Sequence, residues 1–292
     1  MVKLESKIKG ALYGFAIGDA MGATTEFLTE EGIKKKYGSV KDIIGGGWLN
    51  IKPGDVTDDT ELMECVCEAI QHAHNSVFDE DNFFIKQEVF LERCCENFGI
   101  WYRSNPIDIG NTCRRVMSEC HKSKNPKKWT KVADDPQSLG NGSLMRILPI
   151  ALSNFGLNPA LSQGRLTHNN LVCNIGIEIY YKNLEALLYE DCFANTSHML
   201  VEPTGHILNT LENALFWAQW APNLENAIIG AVNHGGDADT IAAITGSLVG
   251  ALYGYEAIPE RWIEQLSPDV KEMLDKYAKL FEKINKRVCT NN

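Results

Sequence analysis

The sequence predicts an all-α fold. Three observations carry that expectation. Apolar residues recur at i, i+3 and i+4, the period of a helix, along most of the chain. Strand signals are few: Ile43-Ile44 is short and runs into Gly45-Gly46-Gly47, which reads as loop. Two runs of glycine are spaced every four residues, which makes sense only on helices.

Taken in order, the helical period covers 4–22, 59–73, 83–102, 108–121, 171–188, 205–220, 224–233, 239–253 and 268–286. The first segment carries Gly10, Gly14, Gly18 and Gly22, and the segment at 239–253 carries Gly246 and Gly250 and runs up to Gly254. Both contain Gly-Ala-Leu-Tyr-Gly, at 10–14 and 250–254. Glycine inside a helix costs about 1 kcal/mol relative to alanine, so two glycine ridges need a reason. Close approach of two helix backbones supplies one, and we expect these two helices to lie side by side in the core. The segments at 59 and 239 open on acidic and hydroxyl residues that suit a helix N-terminus. Between the helical stretches, Lys122 to Gln137 is rich in Lys, Pro and Asp and reads as the main loop. No low-complexity linker divides the chain, so residues 1–292 are expected to form a single domain, large enough at 44% hydrophobic residues to bury a sizeable core.

Composition narrows the function. The formal net charge is -10, which does not suit a nucleic-acid or anionic-membrane surface. No run approaches the roughly 18 apolar residues of a membrane span, and Met1 to Glu5 lacks the apolar stretch of a secretory signal. The nine cysteines are odd in number and include no C-x-x-C pair, so they read as reduced thiols in a cytoplasmic setting rather than as a disulfide framework or zinc site. The sequons Asn141-Gly142-Ser143 and Asn195-Thr196-Ser197 are discounted on the same ground. No heptad seam or exposed apolar stripe calls for an oligomer, and a monomer is expected.

Two clusters carry the chemistry. Gly54-Asp55-Val56-Thr57-Asp58-Asp59-Thr60 runs straight into a helix. One Asp would cap that helix; two adjacent carboxylates repel unless a cation lies between them. Gly235-Gly236-Asp237-Ala238-Asp239-Thr240 opens a second helix with the same ingredients. Carboxylate and hydroxyl oxygens without Cys or clustered His suit hard cations, Mg²⁺ or Mn²⁺. Together, Thr57, Asp58, Asp59, Asp237, Asp239 and Thr240 could hold two ions about 3.5–4 Å apart, provided both helices aim their N-termini at one pocket.

The wider pattern resembles the ADP-ribosylglycohydrolase family. Its marks are Gly18-Asp19-Ala20-Met21-Gly22 with Glu26, then Thr57-Asp58-Asp59-Thr60, then Pro106-Ile107-Asp108-Ile109-Gly110-Asn111-Thr112. Gly140-Asn141-Gly142-Ser143-Leu144-Met145-Arg146, Thr167-His168 and Gly235 to Thr240 follow in family order. The resemblance, nearest in look to the dinitrogenase reductase-activating branch, implies an all-α, compact orthogonal helical domain with two Mg²⁺ or Mn²⁺ ions at helix N-termini. It implies hydrolysis of the glycosidic bond of an ADP-ribosylated protein or small ADP-ribose conjugate, arginine-linked by preference.

Residue by residue, the resemblance makes Thr57, Asp58, Asp59, Asp237, Asp239 and Thr240 the metal ligands. It places Glu26 beside the metals, Asp108, Asn111 and Thr112 near the ribose, and Asn141, Gly142, Ser143 and His168 along the ADP-ribose pocket. His206 stands where the family commonly has a Tyr beside adenine. Asp108, Glu26 and Asp59 are the candidate acid/base groups, with Asp108 preferred; as a bare residue it equally suits a cap for the helix at 108–121. The pyrophosphate is expected on the backbone N–H groups of Asn141-Gly142-Ser143. Arg146 suits either that anion or a surface ion pair. Rival readings are a hydrolase of O-linked ADP-ribose (serine or acetyl), a module that binds ADP-ribose without cleaving it, and a crystallin-like structural protein, against which the full set of six metal ligands argues.

Overall fold

The structure is a computed structural model that describes residues 2–76, 83–195 and 198–290. Thr196 and Ser197 of the second sequon lie outside the described residues. Among those residues there are helices and loops and no strand, with isolated bridges only at Thr29–Gly235, Gly46–Ile51 and Gly140–His206. The helices are α1 (Leu4–Gly22), α2 (Glu30–Tyr37), α3 (Asp58–Ser76), α4 (Phe83–Arg103), α5 (Asn111–Cys120), α6 (Pro126–Val132) and α7 (Leu148–Leu152). They continue as α8 (Leu157–Gly164), α9 (Leu171–Tyr189), α10 (Ile207–Trp220), α11 (Leu224–His234), α12 (Ala238–Tyr253), α13 (Glu260–Gln265) and α14 (Pro268–Thr290). The fold is all-α, as the periodicity predicts.

The centre is the pair α1 and α12, each buried along nearly its whole length. The glycine ridges meet there. A methyl group on Gly14 would stand 2.1 Å from the Gly246 carbonyl oxygen, and one on Gly246 would stand 2.0 Å from that of Gly14. Gly10 meets Gly250, and Gly18 meets Ala242, in the same way. As numbers rise along one helix they fall along the other, so the two run antiparallel with their backbones in contact. Any side chain at these positions would push the helices apart, which is why helix propensity is sacrificed there. The other helices wrap this pair: α10 and α11 on α12, α14 on α1, and α3 bridging to α4.

The sequence and the structure part company at the short helices. Lys122 to Gln137, expected as loop, contains α6: the Asn125 side chain accepts from the Lys127 N–H at 3.0 Å, and Pro126 opens the helix. Trp129 is its buried anchor, its indole N–H donating to the Ser123 carbonyl at 2.7 Å. One apolar anchor in seven residues shows no period. The helix expected from 108 begins at Asn111 instead, with Gly110 in the cap position. Asp108 is therefore in the preceding loop and is not that cap.

Candidate active site

The antiparallel α1/α12 contact brings the C-terminal end of α1 beside the N-terminal end of α12: a methyl group on Gly22 would stand 2.4 Å from Asp239 Cα. The chain leaving α1 is then stitched to the α11–α12 turn. The Phe27 N–H donates to the Gly236 carbonyl at 2.7 Å, and the Gly236 N–H to the Leu28 carbonyl at 2.8 Å. That turn needs its two glycines: Gly235 and Gly236 have φ of 79° and 65°, and a methyl group on Gly236 would collide with the Pro203 carbonyl oxygen at 1.8 Å. Glu26 is thereby held over the first turn of α12.

The third element is the start of α3, and Asp19 places it. Asp19 lies on the last turns of α1, fully buried. Its carboxylate accepts from the Thr57 N–H at 3.1 Å, the Thr57 hydroxyl at 2.8 Å, the Thr60 N–H at 3.1 Å and the Thr60 hydroxyl at 2.5 Å. Asp19 thus caps α3 from another helix. Asp58 and Asp59 have no capping duty and line the cavity instead. The Thr57 hydroxyl, its proton given to Asp19, accepts from the Asp59 N–H at 3.4 Å.

The two acidic clusters meet directly. The Thr240 hydroxyl donates to Asp59 Oδ2 at 3.3 Å. Asp237 accepts from the Asn141 side-chain amide, which also donates to the Thr210 hydroxyl at 3.0 Å. Carboxylate oxygens of Glu26, Asp108 and Asp239 lie within 4.8 Å of one another. Glu26, Asp59, Asp108, Asn141, Asp237, Asp239 and Thr240 face a cavity of about 450 Å³. Asn111, Thr112, Gly142 and His168 line it too.

Four expected residues are placed differently from the rest, the first being Thr57, which is fully buried and is not among those lining the cavity. The Ser143 side chain is buried and is not among those lining the cavity. The Asn141 N–H already donates to the Gly205 carbonyl at 3.0 Å, leaving Gly142 and Ser143 as the turn's remaining donors. His206 caps α10, its Nδ1 accepting from the Leu208 N–H at 3.3 Å, while Gly205 rather than His206 lines the cavity. Arg146 is fully buried beneath the site, not on the surface.

Sequence reasoning gave no role to Asp19, Trp48 or Arg114. A carboxylate amid the apolar residues of α1 was a usable signal for Asp19. Trp48 donates its indole N–H to Glu26 Oε2 and packs on Phe27 with ring centroids 5.3 Å apart, at the cavity rim. The exposed Arg114 guanidinium lowers the Asp108 carboxyl against a larger upward push from burial.

The electrostatics are those of crowded, buried carboxylates. Burial, and then repulsion from their neighbours, pushes Asp58, Asp59 and Asp239 well above the usual carboxylate range. Burial also pushes Glu26 up to about 8 and Asp237 to about 6. Asp59 Oδ1 is buried with no hydrogen-bond partner. An orphaned carboxylate oxygen beside other carboxylates is unfavourable unless a cation takes it. The donor set fits a hard divalent ion: all oxygen, mixed carboxylate and hydroxyl, and open to the cavity.

A family model for ADP-ribosylglycohydrolases matches residues 1–191 and 176–288. The chain belongs to the ADP-ribosylglycohydrolase family. It is 31% identical over 284 residues to the ADP-ribosyl-[dinitrogen reductase] glycohydrolase of Rhodospirillum rubrum, covering 90% of each chain. It is 31% identical over 299 residues to the ADP-ribosylarginine hydrolase Tri1 of Serratia proteamaculans, covering 89% of this chain and 75% of that one. A solved ADP-ribosylglycohydrolase-related protein complex superposes with a TM-score of 0.75 at 27% identity, over 96% of this chain and 98% of its own. The chain is a hydrolase of this family. No helix among the described residues is long and apolar enough to cross a membrane, and the eight described cysteines are all free thiols.

Proposed function

We propose that this chain releases ADP-ribose from arginine side chains of modified proteins, or from small ADP-ribosyl-arginine conjugates, using two bound Mg²⁺ or Mn²⁺ ions. The observation that carries the reading is the convergence of two acidic helix starts on one cavity, joined by the Thr240–Asp59 hydrogen bond. The preference for arginine draws on the printed activities of two relatives, one acting on modified dinitrogen reductase and one on ADP-ribosylarginine. The chain acts as one domain spanning 1–292 and as a monomer, and its free thiols suit a reducing, cytoplasmic compartment.

Thr57, Asp58, Asp59, Asp237, Asp239 and Thr240 would hold the ions, which when bound supply Lewis-acid stabilisation to oxygens in the cavity. The chain's own groups do the rest. Hydrolysis adds the hydroxyl of water to the anomeric carbon of the ribose and a proton to the departing guanidine nitrogen. Asp108 is suited to that proton traffic: it faces the cavity, is only partly buried, and its carboxylate lies within 4.8 Å of those of Glu26 and Asp239. Burial raises its carboxyl above the ordinary value, towards working pH. Glu26, oriented by the Trp48 indole, closes the same corner. Asn111 and Thr112 offer polar contacts to the ribose, and Gly142 and His168 to the pyrophosphate.

The test is release of free ADP-ribose from ADP-ribosyl-arginine and ADP-ribosyl-serine peptides, with Mg²⁺ or with EDTA. We expect metal-dependent release from the arginine peptide, lost in the Asp237→Ala/Asp239→Ala protein. Preference for the serine peptide would overturn the linkage, and release insensitive to EDTA would overturn the metal reading.

A further inference from the structure

Arg146 is fully buried, yet among the described residues no carboxylate lies in ion-pair range of its guanidinium. A buried charge is ordinarily paired, because desolvation is otherwise uncompensated. Here every donor goes to a neutral acceptor. Nε donates to Gln163 Oε1 at 2.8 Å, and Nη1 to the Gly142 carbonyl at 2.8 Å and towards Cys113 Sγ at 3.9 Å. Nη2 donates to the Gln163 carbonyl at 3.3 Å and to the Thr167 hydroxyl at 2.7 Å. The Phe98 ring covers the guanidinium at 4.6 Å. Such a group acts by what it orients.

Two of those acceptors lead into the cavity. The bond to the Gly142 carbonyl fixes the Gly142–Ser143 peptide plane at the cavity wall. The bond to Thr167 has a longer reach. An arginine only donates, so the Thr167 oxygen must accept from it. That hydroxyl lies 2.8 Å from Nδ1 of His168, and its proton makes this contact when Nδ1 is the acceptor. Burial, and then the charges of Arg146 and Arg115, hold the imidazole down at about 3, so it is neutral and carries a single N–H. With Nδ1 accepting, that hydrogen is on Nε2. His168 lines the cavity between two glycines: methyl groups on Gly140 and Gly142 would stand 3.4 and 3.7 Å from Nε2.

We propose that Arg146 is a positioning residue: acting through Thr167, it fixes His168 as the Nε2–H tautomer, so that the imidazole donates a hydrogen bond to a phosphate oxygen of the substrate. A neutral donor is useful there because it binds the anion without competing with the acidic wall for protons. The second half of this inference rests on the ADP-ribose reading above; the first half does not.

Nitrogen-15 NMR of the full metal-loaded chain reads the tautomer without substrate. Calorimetry with free ADP-ribose reads the donor role without turnover. In the wild-type protein we expect His168 protonated on Nε2 alone. Thr167→Val removes the relay while keeping the side-chain shape. It should mix the tautomers and weaken ADP-ribose binding about tenfold, the effect of one misdirected hydrogen bond to a charged group. Thr167→Ser should restore both. Arg146→Lys keeps the charge but loses the fork that holds Gly142 and Thr167 together, and should also mix the tautomers. A wild-type Nδ1–H tautomer would overturn the relay, as would an unmixed Nε2–H tautomer in both Thr167→Val and Arg146→Lys. A pure Nε2–H tautomer in the wild type with unchanged ADP-ribose affinity in Thr167→Val would overturn the donor role alone. A confirmed tautomer with no ADP-ribose bound by the wild type would instead bring down the functional reading.

Discussion

Two walls of one cavity are built on opposite principles. The acidic wall, from Glu26, Asp58, Asp59, Asp237 and Asp239, crowds like charges together and leaves Asp59 Oδ1 without a partner. The other wall has Gly142 and His168 on the cavity, with Thr167 and Arg146 buried behind them, and it is held by hydrogen bonds: each donor of the buried guanidinium has a neutral acceptor. The acidic wall is left with unpaired carboxylate charge. The saturated wall, so called for the donors of Arg146, has its buried hydrogen bonds in place beforehand. The difference teaches where this fold stores its instability: at the crowded carboxylates, not at the hydrogen-bonded set beside them.

The comparison breaks or sharpens under three changes. The largest effect is expected from Asp59→Asn. Activity should fall by at least about a thousandfold, since the ligands act as a unit. The same change removes one of the repelling charges, so the EDTA-treated protein should melt higher than the wild type. A lower melting point without metal would show that the acidic wall is not a source of strain.

The next effect is on stability against pH. Burial pushes Glu26 up to about 8 and Asp237 to about 6, and Asp58, Asp59 and Asp239 are also raised. A carboxyl whose pKa is higher folded than unfolded stabilises the fold below its unfolded value near 4 and loses that contribution as pH rises through the folded value. The melting temperature of metal-free protein should therefore fall by roughly 5 °C or more between pH 5 and 8. Bound Mg²⁺ should flatten the curve. Identical curves with and without metal would refute it.

The smallest effect is expected on the saturated wall. Gly142→Ala places a methyl group 2.9 Å from Cys113 Sγ and 3.1 Å from His168 Cε1. We expect KM to rise about tenfold with kcat nearly kept, as when binding common to ground and transition states is lost. Metal affinity by titration should be unchanged; a loss there would mean the two walls are coupled.

How far the sequence reached follows the same physics. Long helices carry several apolar turns and so announce themselves, and α1 and α12 even announced their pairing, because glycine is expensive in a helix. Helices α2, α6 and α13, of six to eight residues, offer too few turns for a period to show. At the site, the clusters at Thr57 and Asp237 were legible because adjacent carboxylates and hydroxyls exceed what a helix cap needs. The Asp19 cap of α3 was not, since it depends on which helix packs alongside. Nor was the inward turn of Ser143, or the use of His206 as a cap for α10: a loop side chain's direction is settled by contacts distant in sequence.

The glycine contact between α1 and α12 works as a ruler. It is graduated in steps of one helical turn, about 5.4 Å, and Asp19 and Asp239 ride on its two scales near the same mark. A slip of one step would carry the α12 carboxylates a full turn away from the α3 start that Asp19 holds. The spacing between the two acidic clusters is therefore gauged in the middle of the molecule, by backbone against backbone. The loops bearing Trp48 and Asp108 lie outside that gauge, on the cavity they help to line.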